Sequence, residues 1–319
     1  MSLVAAFTNA ILPILGVAVV GYLLAWRTGL DVKPLNTAGL YVMVPALAFH
    51  SIATTDLGSD AVLKLGVGVV GYALVMVGLA WGVGRLTGES GPLLGALMLA
   101  AAFPNSGFVG IPLSEFAFGE TGRTTAVLYL TIQNLVVYTL GVYIASRGSA
   151  GDRGPAEAVG EIVRLPLLYA VLLGVALRAF GAVPPVESAF MQTVGLVGDA
   201  SIPVMLLILG AQLADTDVRA VSRSVTPAAL KLVAAPLVGV GLVLALGFED
   251  PTVARVFVLE CATPAAVIPL ALTIEYADGV SRDGLTAPEY LSTAIFTTTV
   301  ASVVVLTVLV AALQAGIPF

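Results

Sequence analysis

Two apolar stretches interrupted by prolines hold the residues of this sequence best suited to chemistry. The first, residues 101–113, carries Pro104, Asn105, Ser106 and Gly107 in succession. A proline inside a helix removes a backbone hydrogen bond and clashes with the carbonyl four residues earlier. The helix N-terminus freed by such a break offers N–H groups to an anion, and the Asn and Ser side chains add further polar groups. The stretch therefore favours an anion-binding break over a simple proline kink.

The second stretch, residues 260–269, contains Pro264 and Pro269, with Thr263 directly before the first proline. Glu260 lies about nine residues into its apolar segment, roughly 14 Å deep at the helical rise per residue. A carboxylate at such a depth in a membrane is a candidate functional group. Two interpretations stay open for Glu260: reversible proton binding in ion coupling, or a neutral, hydrogen-bonded structural acid.

Two further charged residues lie within apolar segments. Asp199, four residues before Pro203, is expected at a depth similar to that of Glu260 and is a second candidate for ion coupling. Lys231 is the third such candidate. The favoured interpretation places its ammonium at the membrane interface through its long side chain. The alternatives are that Lys231 pairs with an acid or takes the place of a coupling cation.

The amides of Gln133 and Asn134 fall in the middle of an apolar segment and should face the protein interior. They are equally suited to bonding the broken backbone at Pro104 and to contacting substrate. His50 titrates near neutrality in water, but a structural role is favoured for it. Cys261 is interpreted as a small packing residue.

The composition identifies an integral membrane protein. The chain has 319 residues, of which 58% are hydrophobic and 11% charged, less than half the charged fraction of about 25% typical of soluble domains. The apolar runs exceed the length of a barrel strand and do not alternate, so the spans are helices. With one Cys and one His, a disulfide or a His/Cys metal site is not expected. Motifs of hydrolases, zinc proteases and P-loop proteins are missing, so the sequence predicts neither an enzyme nor a bound cofactor.

Ten segments reach the roughly 20 residues needed to cross a bilayer. A Gly-rich, charged linker separates the fifth from the sixth and divides the chain into repeats 1–146 and 162–319, with the linker at 147–161. The ten spans are 3–25, 34–54, 62–86, 91–117, 124–146, 162–182, 188–213, 226–247, 252–276 and 287–316.

The two halves of the chain resemble each other. Leu-Gly-Val-Ala at 15–18 recurs 158 residues later, as does Pro45 at Pro203, and Ile-Pro-Leu at 111–113 recurs 157 residues later. Three matches in order at nearly one offset predict two repeats of five spans. An odd number of spans inverts the second repeat, and inverted repeats with broken helices in matching positions are typical of secondary transporters.

The basic residues predict the orientation in a cell membrane. With both termini outside, the cytoplasmic connections hold nine Lys and Arg residues and the outer connections hold four. The linker at 147–161 is then cytoplasmic. The net charge of −6 and the absence of a basic patch argue against nucleic acid as a partner.

The motif Pro-Asn-Ser-Gly-Phe-Val-Gly-Ile-Pro-Leu at 104–113 resembles the broken fourth helix of the auxin efflux carrier family, which includes plant carriers and prokaryotic permeases for malate and malonate. Pro45, the Ile202-Pro203 pair, Gly-Ala-Gln-Leu at 210–213 and the Thr263-Pro264 break are also similar to that family. The resemblance covers essentially the whole chain.

The resemblance implies the fold of the bile acid sodium symporters, with the fourth and ninth helices crossing at their breaks. Helices 1, 2, 6 and 7 would form a scaffold that dimerises, and helices 3–5 and 8–10 a mobile transport domain. Asn105 and Ser106 would meet the substrate carboxylate. Val44, Pro45, Ile202 and Pro203 would face the substrate from the scaffold. The complete substrate-contact prediction is Val44, Pro45, Pro104, Asn105, Ser106, Gly107, Gln133, Asn134, Ile202, Pro203, Thr263 and Pro264.

The sequence thus predicts a secondary transporter of small organic anions, auxin-like or dicarboxylate, that works by an elevator-type movement. Apolar residues 265–267 follow the second break, where many family members have a polar residue, so anion recognition should depend mainly on the first break. Two alternatives stay open: a sodium-coupled symporter of the bile acid type, and a membrane-embedded ligand sensor.

Overall fold

The structure is a computed structural model, and it describes residues 3–55, 58–146, 160, 163–214, 223–277, 281–282 and 284–316. These residues are overwhelmingly helical, so the prediction of an all-helical membrane protein is confirmed. The predicted linker at 147–161, apart from Gly160, lies outside the described residues.

Seven of the described helices are long and apolar enough to cross a membrane, and four shorter helices complete the bundle. The seven are α1 (Leu3–Thr28), α2 (Lys33–Thr54), α3 (Ser59–Leu86), α5 (Ser106–Ser146), α7 (Ala189–Ala214), α8 (Val225–Leu246) and α11 (Ala287–Gln314). The shorter helices are α4 (Gly91–Ala102), α6 (Pro166–Ala179), α9 (Pro251–Ala262) and α10 (Ile268–Ala277). A short antiparallel pair, β1 (Ser281–Arg282) and β2 (Leu285–Thr286), precedes α11.

The helix boundaries depart from the predicted spans in two places. The spans predicted at 91–117 and 124–146 are joined without a long loop, because the two helical runs of α5 meet at a sharp bend at Gly119. Gly119 makes that bend at φ 66° and ψ −152°, a conformation that side-chain-bearing residues rarely adopt. Among the described residues of the span predicted at 162–182, the long helix α6 accounts for fourteen, and it ends just before Gly181, which has a left-handed conformation.

Wide π-type turns occur directly before prolines in four places. A proline lacks the N–H that would bond the carbonyl four residues earlier, so the preceding turn can open without losing a further bond. The wide turns are Phe7–Ile11 before Pro13, Gly39–Met43 before Pro45, Ser106–Gly110 before Pro112 and Leu230–Ala234 before Pro236.

Helix packing brings together segments far apart in sequence. Helix α1 lies so close to α7 that a side chain at Gly21 or Gly210 would collide with the backbone of the other helix. Helix α2 packs between α6 and α7, whereas α3 packs on α4, α5 and α8. Helix α9 lies between α5 and α8, and α11 packs on α4 and α10. The bundle therefore positions the two broken regions, α4 to α5 and α9 to α10, in its interior.

Candidate functional site

The first break separates α4 from α5. Helix α4 ends at Ala102, and residues 103–105 are non-helical before α5 begins at Ser106. The Asn105 Oδ1 atom accepts a hydrogen bond from the Phe108 N–H at 3.2 Å, so the side chain caps the new helix. Both Asn105 and Ser106 are buried. The break predicted from Pro104 is therefore present, with its polar residues inside the protein.

The second break separates α9 from α10. Thr263 is extended, and its Oγ1 donates to the Glu260 carbonyl at 2.9 Å. The Ala265 N–H, which no helix satisfies, donates to Thr298 Oγ1 of α11 at 3.1 Å. The backbone groups freed by Pro264 are thus bonded inside the protein, as a membrane interior requires.

The two breaks bond directly to each other. The Asn105 N–H donates to the Pro264 carbonyl at 2.8 Å, and the Ala266 N–H donates to the Phe103 carbonyl at 2.9 Å. Pro104 and Ala265 lie opposite each other between these bonds in an antiparallel bridge. Two segments more than 150 residues apart in the chain therefore form one unit, in which each satisfies backbone groups of the other.

Gln133 braces the first break from the middle of α5. Its Nε2 donates to the Pro104 carbonyl at 2.9 Å, and its Oε1 accepts from Ser106 Oγ at 3.2 Å. One of the two open interpretations, bonding to the broken backbone, is therefore confirmed for Gln133. Its neighbour Asn134 is also buried, but its Oδ1 has no hydrogen-bond partner among the described residues.

A cavity of about 300 Å³ adjoins both breaks. It extends from the first turn of α5 and the start of α10 to the first half of α2, the start of α6 and the second half of α7. Its walls are mostly apolar, with a small number of amide and hydroxyl groups, which is the usual make-up of a small-molecule site. The lining residues are Asn36, Gly39, Leu40, Tyr41, Val44, Pro104, Asn105, Ser106, Gly107, Phe108, Leu130, Gln133, Asn134, Tyr138, Leu165, Pro166, Leu167, Met205, Ile208, Gln212, Ala266, Val267, Ile268 and Ala271.

Seven of the twelve predicted substrate-contact residues line this cavity, and five do not. The seven are Val44, Pro104, Asn105, Ser106, Gly107, Gln133 and Asn134. The five others are Pro45, Ile202, Pro203, Thr263 and Pro264, of which the last two shape the second break from behind the cavity wall.

Several lining residues were not singled out as contacts from the sequence. The first half of α2 supplies Asn36 and Tyr41, the first turn of α6 supplies Leu167, and Tyr138 comes from the far part of α5. One signal was available: Gln212 belongs to the Gly-Ala-Gln-Leu motif at 210–213. Tyr41 precedes Val44 by about one helical turn, so the two lie on the same helix face.

The described wall of the cavity offers hydrogen-bond donors but no cationic side chain. No Lys, Arg or His occurs among its described lining residues, and no Asp or Glu does either. The first turns of α5 and α10 both border the cavity, and a helix N-terminus presents unpaired N–H groups and the positive end of its dipole. Asn105 Nδ2 is buried and has no hydrogen-bond partner among the described residues. These donors fit the oxygens of a small anion.

Glu260 lies behind the breaks rather than in the cavity wall. Its side chain is fully buried, and Oε1 accepts a hydrogen bond from Ser114 Oγ at 2.8 Å. Oε2 has no partner among the described residues. The carboxyl group packs against Gly110, where a Cβ atom would collide with it. The carboxyl group therefore joins the end of α9 to the first turns of α5.

Lys231 does not extend to the membrane interface, so that interpretation is wrong. The residue has no exposed surface, and its Nζ donates to Tyr72 Oη at 2.7 Å and to the Cys261 carbonyl at 3.0 Å. That carbonyl belongs to the last turn of α9, where no intrahelical partner exists. The ammonium stabilises the negative end of the α9 dipole, on the opposite side of the second break from the cavity wall.

Asp199 lies outside the cavity and is more exposed than its predicted depth implied. Its side chain is 63% exposed and pairs with Arg123 of α5 at 2.9 Å. Arg123 also lies 3.5 Å from Glu115, and its own side chain is almost completely buried. His50 lies nearby on α2, half-buried and packed against Gly195 of α7, also outside the cavity.

Comparisons with known proteins agree with this architecture. Residues 6–310 match the family described as membrane transport proteins. A protein of Methanothermobacter thermautotrophicus, named only as an uncharacterised transporter, is 30% identical over 276 residues, covering 84% of this chain and 88% of the relative. A Rhizobium meliloti protein, provisionally named a malonate transporter, is 26% identical over 311 residues, covering 93% of this chain and 94% of the relative.

These names describe transporters, in agreement with the prediction that the chain is not an enzyme. The match over nearly the whole chain also confirms the resemblance to auxin efflux carriers. The chain belongs to the membrane transport protein family that contains those carriers.

Proposed function

We propose that this protein is a secondary transporter of small organic anions, with the substrate carboxylate bound at the paired breaks. The observation that carries the proposal is the convergence of two helix N-termini and the unpaired Asn105 Nδ2 on one cavity. Such donors balance a carboxylate by hydrogen bonds and dipoles, without the strong fixed charge that would hinder release. Dicarboxylates are the favoured class, because the Rhizobium relative is provisionally named for malonate.

The proposed movement is an elevator-type shift of one group of helices past the other. Helices α1, α2, α6 and α7 pack together and correspond to the proposed scaffold, while α3–α5 and α8–α11 correspond to the proposed transport domain. The cavity has walls from both groups, so a relative shift would carry the substrate from one membrane face to the other. The proposed five-plus-five inverted repeat, with both termini outside and residues 147–161 in the cytoplasm, would make the cavity face inward here. The protein is proposed to form a homodimer through the surface of this scaffold.

Ion coupling is proposed to act through Glu260, with Lys231 and Asp199 as further candidates. The free Oε2 of Glu260 can accept a proton or contribute one oxygen to a sodium ion. Lys231 already supplies a positive charge at the end of α9, where a coupling cation would otherwise be useful. We therefore favour a proton-coupled or uncoupled transporter over a sodium-coupled symporter of the bile acid type.

The proposal is tested by uptake of labelled malonate into proteoliposomes that contain the purified protein. The assay is run with a sodium gradient, with a proton gradient and with neither. We expect saturable uptake that exceeds protein-free liposomes and does not need sodium. Saturable malonate binding without flux under any gradient would contradict transport and favour the ligand sensor.

A further inference from the structure

A second groove lies on the opposite side of the two breaks from the proposed scaffold and shares no lining residue with the substrate cavity. It has a volume of about 410 Å³ and runs between the end of α3, the start of α4, the end of α5 and the middle of α10. Helix α4 leads into the first break and α10 follows the second. An occupant of this groove would therefore brace both crossing half-helices from outside.

The mouth of the groove is polar and lies at one membrane face. Arg85 is one residue from the end of α3, Tyr143 is three residues from the end of α5, and Pro92 is in the first turn of α4. All three helix ends lie at the membrane face at which α5 ends, directly before residue 147. Trp81 and Tyr143 are about half exposed there, as aromatic residues at a membrane interface usually are.

Arg85 is available to bind an anion. Its guanidinium carbon lies 5.9 Å from the centroid of the Trp81 ring, a contact that restrains the exposed side chain. Within the described part of the chain, no carboxylate lies within ion-pair distance of it. The five N–H donors of a guanidinium match the oxygens of a phosphate.

The inner part of the groove is lined by apolar residues. Val77 lies eight residues before Arg85 on α3, about 12 Å deeper at the helical rise per residue. Met98, Leu99 and Leu140 line the same deep region. An occupant must therefore combine an anionic head with a hydrocarbon tail, and it must approach from the bilayer.

We propose that this groove binds an anionic phospholipid, with the phosphate at Arg85 and an acyl chain along α3, α4 and α5. Basic pockets between membrane helices bind anionic head groups in this manner. The side of the membrane is that of residues 147–161, which the distribution of basic residues predicts to be cytoplasmic. Binding of the lipid does not depend on which substrate the protein carries.

The test uses the full-length protein in mild detergent, with native mass spectrometry and thermal unfolding as the two readouts. Phosphatidylglycerol should remain bound at one molecule per chain and raise the melting temperature, whereas phosphatidylcholine and free glycerol phosphate should do neither. Equal retention of phosphatidylglycerol and phosphatidylcholine by the wild-type protein would overturn the proposal without any variant.

Two variants separate the head-group contact from the apolar groove. Arg85→Gln should bind phosphatidylglycerol about fivefold more weakly. Gly95→Leu keeps Arg85 but places a side chain beside Ile144 in the groove, so it should also lose the lipid. Arg27→Gln removes an exposed charge near the end of α1, outside the groove, and should bind like the wild type. Unchanged phosphatidylglycerol binding in both groove variants would contradict the assigned site.

Discussion

The backbone N–H of Asn105 donates a hydrogen bond to the carbonyl of Pro264 across 2.8 Å. This bond turns two separate helix breaks into one site, because neither break could leave its backbone groups unpaired inside a membrane. It also fixes the first turn of α5 relative to α10, so both helix N-termini border the same cavity. Four predictions follow from this arrangement and its supports.

Replacing Gly110 by Ala should disturb the protein through Glu260. The added Cβ would overlap the buried carboxyl group, and we expect a loss of about 1–3 kcal/mol in stability with reduced uptake. Gly82→Ala is the matched control, since a Cβ there meets no atom within 4 Å. The double variant Gly110→Ala, Glu260→Ala should be less destabilised than the sum of its single changes. If the decrease in melting temperature of the double variant equals the sum of the decreases of the two single variants, the two residues are not in contact.

Replacing Gln133 by Leu should weaken the first break. The Ser106 hydroxyl would lose its acceptor, and the Pro104 carbonyl would keep only the Ser106 N–H of its two donors. An unsatisfied buried polar group costs about 1–3 kcal/mol. Gln192→Leu changes an exposed glutamine bonded only to the Glu187 carbonyl, so it should leave the melting temperature nearly unchanged. If the two variants melt at the same temperature, Gln133 does not brace the break.

The ion pair between α5 and α7 should respond unequally to the removal of its two partners. Asp199 is 63% exposed, and pairs with exposed groups contribute about 0–1 kcal/mol, so Asp199→Asn should have a small effect. Arg123→Met should have a larger effect, because it also leaves Glu115, itself more than half-buried, without its cation. Thermal unfolding of the purified variants measures both. A larger loss for Asp199→Asn than for Arg123→Met would contradict this reading of the pair.

The sequence predicted the local features of the site because prolines and polar residues are easily recognised when they interrupt an apolar segment. The positions of both breaks and the inward-facing amide of Gln133 are of this kind, whereas the capping role of the Asn105 side chain became visible only in the structure. The burial of the Lys231 side chain could not be predicted in the same way, because its partner Tyr72 is 159 residues distant in the chain. Burial of an ammonium depends on which helix end packs against it, and that is a tertiary property.

The cavity shape likewise needed the folded bundle. The first half of α2 and the first turn of α6 were not expected as a group near the breaks, yet packing makes them walls of the cavity. The sequence predicted a connection between the spans at 91–117 and 124–146, but it did not show that this connection is a single bend at Gly119. Its left-handed φ shows a tight bend, which keeps Gln133 directly behind Pro104.

Asn105 provides the most direct test of the central claim, that substrate binds at the paired breaks. The residue has two functions that substitutions can separate: Oδ1 caps α5, and Nδ2 is the unpaired donor. Asn105→Ser retains a good capping group but loses the amide donor, whereas Asn105→Ala loses both. Asn9→Ser, on the exposed surface of α1, is the matched control.

The decisive measurement is the initial rate of malonate uptake by these variants in proteoliposomes with equal protein content. The account predicts that Asn105→Ser and Asn105→Ala both lose about tenfold or more in uptake, as expected from loss of a hydrogen bond to a charged group, while Asn9→Ser matches the wild type. Wild-type uptake by Asn105→Ser would limit the role of Asn105 to capping the helix and would contradict substrate binding at the breaks.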